Sequence, residues 1–394
     1  MVAVSRKPRF IRLAQPTYGR WLIWRNAINT GEMEQLAHIE PPFLVLANHA
    51  HAMDPFIISS ASPVHIRWVA GSYLFNLFGL RPLLETWIGA ISKIQGRSDM
   101  HTIRSIGEAL KGGDVVGLFP EGTRTWDGEP VGFEAAVAKL VKIYDVQVVV
   151  LNLEGFYALK PRWAEEGRRG TPSIRVVHTF SKEEIRALST AALFEKLGEY
   201  LNYSYRNQQE RAPLSFTSRR GAEGLEKLLY LCPGCLHAST IGTHRRTISC
   251  SECALSVSLD VHDRLVGADL PFDDVAQWHQ WEREFLGTEE GRTLSFPPDQ
   301  GVLLQRIEGK GLSTISRRFT LTLGSDGFMI GMRDGETILF PFPSITSTVI
   351  NAKNTLEITS SGVRYRIRIR RNRSIVKYLE YAQQWAKTET GGTP

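Results

Sequence analysis

Phe43-Leu44-Val45-Leu46-Ala47 runs without a break into Asn48-His49-Ala50-His51-Ala52-Met53-Asp54. Consecutive apolar residues rich in Val and Leu suit a strand of a sheet covered on both faces, whereas a half-exposed strand would alternate. The same texture returns at Val115 to Phe119 (VVGLF) and Val146 to Leu153 (VQVVVLNL), and between these runs His101 to Lys111 and Phe133 to Tyr144 space their apolar residues as helices do. Alternating strand and helix define an α/β layout up to about residue 180. Ser181 and Glu184 form a capping box that opens a helix predicted to run to about Tyr205. The polar stretch Asn207 to Arg220 reads as a linker that ends a first domain, residues 1–220.

Two strand exits carry chemistry. In the first, His49 is followed five residues later by Asp54 where strand turns into helix. A carboxylate so placed can fix the tautomer of the ring and stabilise its protonated form, the division of labour of a general-base dyad. The same two residues would also serve as turn and helix cap. His51 competes for the role of base, but two positions on it is expected to face elsewhere. In the second exit, Phe119-Pro120-Glu121-Gly122-Thr123-Arg124 offers backbone amides and a guanidinium that suit a phosphate.

NHxxxxD followed by FPEGTR, each on the exit of a strand, is the paired signature of the glycerolipid acyltransferases, and from Pro41 to Arg175 the sequence resembles the 1-acylglycerol-3-phosphate (lysophosphatidic acid) acyltransferase family. The resemblance implies an α/β domain with a mixed sheet flanked by helices. It implies His49 as general base, Asp54 as its orienting partner, and Glu121, Gly122, Thr123 and Arg124 as the loop that binds the acceptor's phosphate. A further family motif places an Arg after a short apolar strand. Arg97 in Ile94-Gln95-Gly96-Arg97 matches it best, with Lys93 as the alternative phosphate ligand. The family's fourth motif carries a Pro inside an apolar strand, and Val149-Val150-Leu151 here has none. The implied reaction moves an acyl group from acyl-CoA or acyl carrier protein to a lysophospholipid, 1-acylglycerol 3-phosphate first among the acceptors. Glycerol 3-phosphate and lysolipids with other headgroups are the alternatives. No Gly-x-Ser-x-Gly elbow occurs in this domain, which favours direct attack over an acyl-enzyme. Family members also present an apolar surface to the acyl chain, a role that Tyr73-Leu74-Phe75-Asn76-Leu77-Phe78 would fit as well as it fits an ordinary buried helix.

The four cysteines form a second signal, Cys232-Pro233-Gly234-Cys235 and then Cys250-Ser251-Glu252-Cys253. Two CxxC knuckles at this separation supply four thiolates for a tetrahedral structural zinc, so residues 224–264 read as a zinc ribbon. The ribbon could serve partner docking, nucleic-acid contact or spacing; nucleic acid is the weakest of these, resting only on His244-Arg245-Arg246. Beyond it, VLLQRI, ISRRFTLTL, GFMIGM, TILFPF, ITSTVI, NTLEIT and VRYRIRIR are β-like segments separated by turn signals, and a helix from about Ser374 to Lys387 closes the chain. Their count and order resemble a pleckstrin-homology-type barrel over residues 300–390. Val363 to Arg370 alternates Arg with apolar residues, either a solvated face over a packed core or a cationic strip for anionic lipid.

Across 394 residues, Lys and Arg total 47 against 41 Asp and Glu, and 42% hydrophobic with 22% charged residues excludes a wholly disordered or fibrous chain. Arg6, Lys7, Arg9, Arg12, Arg20 and Arg25 precede the first acidic residue, Glu32, and are interleaved with Phe10, Trp21, Leu22, Ile23 and Trp24. Such a segment suits a membrane interface, or a surface helix packed on the sheet. With no run of about 20 apolar residues and no signal-like N-terminus, the expected place is the cytoplasm, peripheral on the inner face of the cytoplasmic membrane.

Overall fold

A computed structural model describes residues 8–75, 80–93, 100–267, 270–309 and 311–389. The chain falls into two compact units, Met1–Arg162 with Gly167–Thr217, and Trp163–Glu166 with Ser218–Pro394.

The first unit is built on a sheet of β1 (Phe43–Ala47), β2 (Ile66–Gly71), β3 (Ile91–Lys93), β4 (Val115–Leu118), β5 (Gln147–Glu154) and β6 (Ser173–Phe180). Their order is β3-β2-β4-β1-β5-β6. β1 pairs in parallel with β4 on one side and β5 on the other, β2 pairs in parallel with β3 and β4, and β6 runs antiparallel to β5, so the sheet is mixed as the family resemblance implies. Every residue of β1 is buried because helices cover both faces. Phe43, Val45 and Ala47 pack among Ile57, Ile58 and Trp68, while Leu44 and Leu46 pack on the other face among Ile106, Leu110, Val141 and Leu197. Full burial of each large side chain contributes about 1.5–3 kcal/mol, which fixes the central strand and with it the position of Asn48 to Asp54.

The helix opened by Ser181 does not run on to Tyr205. Ser181 accepts from the Glu184 amide as the capping box requires, but Lys182–Ala187 stops at an extended Leu188, and Ser189 and Ser204 cap two further helices, Thr190–Leu201 and Tyr205–Arg211. Nor is Asn207 to Arg220 a free linker, since Gln209 and Phe216 are buried. Polar composition hid this packing: Gln209 bonds the Leu214 amide and carbonyl and so closes the turn internally.

In the second unit β7 (Ile241–His244), β8 (Thr247–Cys250), β9 (Ser256–Leu259) and β10 (Leu265–Val266) form an antiparallel sheet in the order β10-β9-β8-β7. The helix Val275–Leu286 follows. A larger antiparallel sheet then runs β15-β14-β13-β11-β18-β17-β16, from β11 (Asp299–Glu308) to β18 (Val363–Ile369), with β12 (Gly311–Ser316) paired to the second half of β11. Two expectations are corrected here. ISRRFTLTL is two strands, β12 and β13 (Phe319–Leu323), turned at Arg317-Arg318. The sheet is also open rather than a closed barrel, because β15 (Thr337–Pro341) and β16 (Ile345–Asn351) stand at its two ends without pairing. Pro341 and Pro343 around the turn Phe342–Ser344 have no amide hydrogens to extend a ladder there. The closing helix is present as Val376–Glu389. The arginine strip is partly spent within the sheet: Arg366 and Arg364 lie 2.7 and 3.4 Å from Glu357 on β17 (Thr355–Ser360).

Among the described residues no helix is long and apolar enough to cross a membrane.

Candidate active site

Parallel pairing of β4, β1 and β5 brings the C-terminal ends of adjacent strands to one edge of the sheet, the edge where open α/β sheets hold their ligands. β1 ends in Asn48-His49 and β4 in Phe119 and the EGTR loop, so the two motifs, far apart in sequence, leave neighbouring strands about 4.8 Å apart. His49 Nδ1 lies 2.8 Å from Asp54 Oδ2, and that oxygen also accepts the Ala50 and His51 amides at 2.8 Å each. Asp54 is fully buried at the head of the helix Asp54–Ala61. Two amides hold the carboxylate in place, so His49 donates from Nδ1 and keeps the Nε2 lone pair; Nε2 has no protein partner among the described residues. The imidazole stacks on Phe119 at 4.3 Å, and Phe119 on Trp68 at 4.7 Å, giving the ring a fixed, apolar backing. Asn48 is buried and accepts the Leu153 amide at 2.7 Å, which ties the β1 exit to β5.

His51 is placed differently. Its Nδ1 accepts the Met53 amide at 3.1 Å, and burial pushes its pKa down, so it is a locked acceptor in the turn.

Glu121 joins the two motifs. Its Oε1 accepts the His49 amide at 3.0 Å and its Oε2 the Val131 amide at 3.4 Å. The Thr125 amide donates to the His49 carbonyl at 3.1 Å, so the backbone of His49 is held on both sides by the same loop. Burial, the largest influence, pushes the Glu121 carboxyl up to about 8 against the two amides that favour its charge. Gly122 sits at φ +69, in the left-handed region, and its amide closes the turn on the Phe119 carbonyl at 3.1 Å; a side chain there would be strained.

Sequence reading passed over Arg162. It is buried, its Nη1 donates to Thr123 Oγ1 at 3.1 Å and to the Arg124 carbonyl at 3.4 Å, and its guanidinium lies 4.3 Å over the Trp126 ring. Only its position after β5, the strand beside β1, could have pointed to it. Lys93 is exposed at the end of β3, the far edge of the sheet, and Arg97 lies outside the described residues. Of the apolar segment from Tyr73, Asn76 to Phe78 also lies outside them, and Phe75 is buried.

The four cysteines of the second unit converge, with Sγ atoms all within 4.8 Å of one another. Cys232 and Cys253 are 3.6 Å apart and Cys235 and Cys250 3.7 Å. Thiolates at about 2.3 Å from a tetrahedral zinc stand about 3.8 Å apart, so the donor set and its spacing fit that ion. Four sulfurs would fill the positions of such an ion and leave none open to a substrate.

Residues 27–153 match the family model described as Acyltransferase. Over 146 residues the chain is 26% identical to a 1-acyl-sn-glycerol-3-phosphate acyltransferase of Chlamydomonas reinhardtii, covering 37% of this chain and 44% of that protein. Over 87 residues it is 34% identical to the lyso-ornithine lipid O-acyltransferase of Rhizobium meliloti, covering 22% and 29%. The chain thus spans less than half the length of these curated relatives. A crystal structure of the 1-acyl-sn-glycerophosphate (LPA) acyltransferase of Thermotoga maritima aligns at a TM-score of 0.43 and 20% identity, over 51% of this chain and 78% of that one. Within the first unit, residues 27–153 are thus similar to the acyltransferase family, and both candidate motifs lie inside the matched span.

Proposed function

We propose that the chain transfers a fatty acyl group from a thioester, acyl-CoA or acyl carrier protein, to the free hydroxyl of a lysophospholipid, with 1-acylglycerol 3-phosphate as the acceptor. The observation that carries this reading is the His49–Asp54 pair with Nε2 left open. His49 Nε2 takes the proton of the acceptor hydroxyl as its oxygen attacks the thioester carbonyl. Asp54 stabilises the imidazolium, and the tetrahedral intermediate expels a thiolate, which recovers the proton from His49. The EGTR loop holds the acceptor's phosphate through Arg124. The relative that acts on lyso-ornithine lipid supports the alternative of an acceptor with another headgroup. Incubating the full chain with acyl-CoA and a panel of lyso-acceptors, followed by lipid mass spectrometry, tests the reading; no acylated product from any lysolipid would end it.

In the same proposal Cys232, Cys235, Cys250 and Cys253 hold a structural zinc that supplies no chemistry to the transfer. The chain works peripherally on the inner face of the cytoplasmic membrane, docked by its N-terminal helical segment. Arg9–Ala14, Gln15–Gly19 and Arg20–Arg25 pack inward through Gln15, Leu22 and Ile23, while Trp24 is 77% and Leu13 68% exposed. One face thus packs as an ordinary surface helix and the other offers aromatic and basic groups to an interface. Co-sedimentation with anionic vesicles should weaken but persist as salt rises, since only the ionic part is screened. Undiminished binding by a Trp21→Ala/Trp24→Ala variant would place the contact elsewhere.

A further inference from the structure

We infer that Lys160 is a specificity-determining residue that binds the phosphate monoester of the acceptor, and that Arg162 is the buried anchor holding its loop against the EGTR turn. The inference rests on the proposed acyl transfer and names the headgroup chemistry of that same site.

Strand order makes the first argument. β5 lies beside β1, and the short helix Phe156–Leu159 leads from its C-terminal end straight to Lys160. Lys93 leaves β3, three strand spacings from β1, or about 14 Å across the sheet. Lys160 thus follows the strand next to β1, and Lys93 follows the strand at the far edge of the sheet.

The loop is also fixed where it needs to be. The two bonds from Arg162 to Thr123 and Arg124 fasten it to the loop that carries the acceptor-binding guanidinium, and the Arg168 amide closes it on the Leu159 carbonyl at 2.7 Å. Lys160 itself is exposed and has no hydrogen bond or ion pair of its own among the described residues. Lys160 and Arg124 both depress the pKa of His51, so both charges are within electrostatic reach of a residue two places from His49.

A phosphate monoester carries up to two negative charges and three acceptor oxygens. A planar guanidinium can grip two oxygens while an ammonium meets the third as a point charge, and the combination favours a monoester over a zwitterionic headgroup. The donor coenzyme also carries phosphates, so the test must separate the two.

The full chain is assayed as wild type, Lys160→Ala and Lys160→Arg, with acceptor and donor titrated separately. Binding of 1-acylglycerol 3-phosphate without donor is measured by calorimetry. Lys160→Ala should raise KM and Kd for this acceptor about five-fold, the upper end for an exposed charged contact. The change in KM for acyl-CoA should stay below two-fold, and Lys160→Arg should recover most of the loss. Unchanged acceptor Kd, or a rise in donor KM equal to that of the acceptor, would overturn the inference. A wild type that binds the lipid but acylates nothing would instead break the proposed function, and the calorimetry would still decide the role of Lys160.

Discussion

Two glutamates, one half-buried in the first unit and one fully buried in the second, do the same mechanical work beside very different centres. Glu121 accepts the amides of His49 and Val131 at the exit of β1. Glu282, fully buried on the helix Val275–Leu286, accepts the amides of Tyr230 and Leu231 at 2.7 and 2.6 Å, just ahead of Cys232. In both places a carboxyl clamps the backbone that delivers a functional side chain. The centres differ in what is left over. Beside Glu121 the imidazole keeps one nitrogen open, whereas the cysteine sulfurs in the unit of Glu282 converge on one another, with Thr240 and the Glu252 amide also meeting Cys250. Elsewhere in the second unit a buried ion pair is closed in the same way on one oxygen: Lys377 lies 2.7 Å from Asp299 Oδ2, which also accepts the Tyr378 hydroxyl at 2.8 Å. On the proposed reading the open nitrogen serves chemistry and the converging sulfurs serve structure.

The largest effect expected from this contrast is on the closed centre. Apparent binding free energies of structural zinc sites run to about 10–16 kcal/mol in zinc-finger peptides at neutral pH, so Cys232→Ser should destabilise the second unit far more than any single polar change in the first. Elemental analysis of the wild type should give one zinc per chain, and the thermal transition of the second unit should fall on substitution. A wild type purified without chelator and lacking zinc would break the comparison.

On the open centre, the loss should appear in rate. General-base catalysis contributes about 10²–10⁴-fold, so His49→Ala should lower kcat by that factor with no shift in the thermal transition, and Asp54→Asn should follow it in part through the wrong tautomer. His51→Ala removes only the acceptor for the Met53 amide and should leave more than a tenth of the activity. If His51→Ala is the more damaging of the two histidine variants, the base is misassigned.

The sequence made some of this legible and hid the rest for physical reasons. β1, β4 and β5 are central and buried on both faces, so their apolar runs are visible; β2, β3 and β6 are shorter or carry polar groups such as Arg67, which pairs with Asp114 at 2.6 Å, and left no clear pattern. His49, Asp54 and the four cysteines stand in fixed local spacings that a motif can carry. Glu121 could be seen as part of its loop, yet that its oxygens hold the His49 amide depends on the register of β4 against β1. Arg162 depends likewise on the fold of the loop after β5. The barrel expectation rested on a count of strands, and counting cannot show whether the two end strands meet.

Exchanging each clamp for its near-isostere sharpens the comparison further. A glutamine keeps one acceptor oxygen, and in Glu282→Gln that suffices for both amides, which share Oε1. In Glu121→Gln the two amides need separate oxygens, so the amide nitrogen must face one N–H, leaving a donor unpaired at about 1–3 kcal/mol. Denaturant midpoints should therefore drop more for Glu121→Gln than for Glu282→Gln, and only the former should lower kcat. Equal losses in both variants would mean that the clamps carry no difference in geometry.

The smallest effect is a dependence on pH that belongs to Glu121. Its carboxyl ordinarily titrates near 4.5 and is pushed up to about 8 in the fold. Between these values the folded chain binds more protons than the unfolded one, so the stabilising contribution is complete below the lower value and is lost as pH rises through the upper one. The slope attributable to one group is at most about 1.4 kcal/mol per pH unit, and partial solvent access will reduce it. Comparing denaturant midpoints of the wild type and Glu121→Gln from pH 5 to 8 isolates this contribution, because other titrating groups are common to both. The gap between the two proteins should narrow as pH rises. A gap that widens would mean that the two backbone amides, which favour the carboxylate, outweigh burial, and Glu121 would then clamp the His49 loop as a charged group throughout the neutral range.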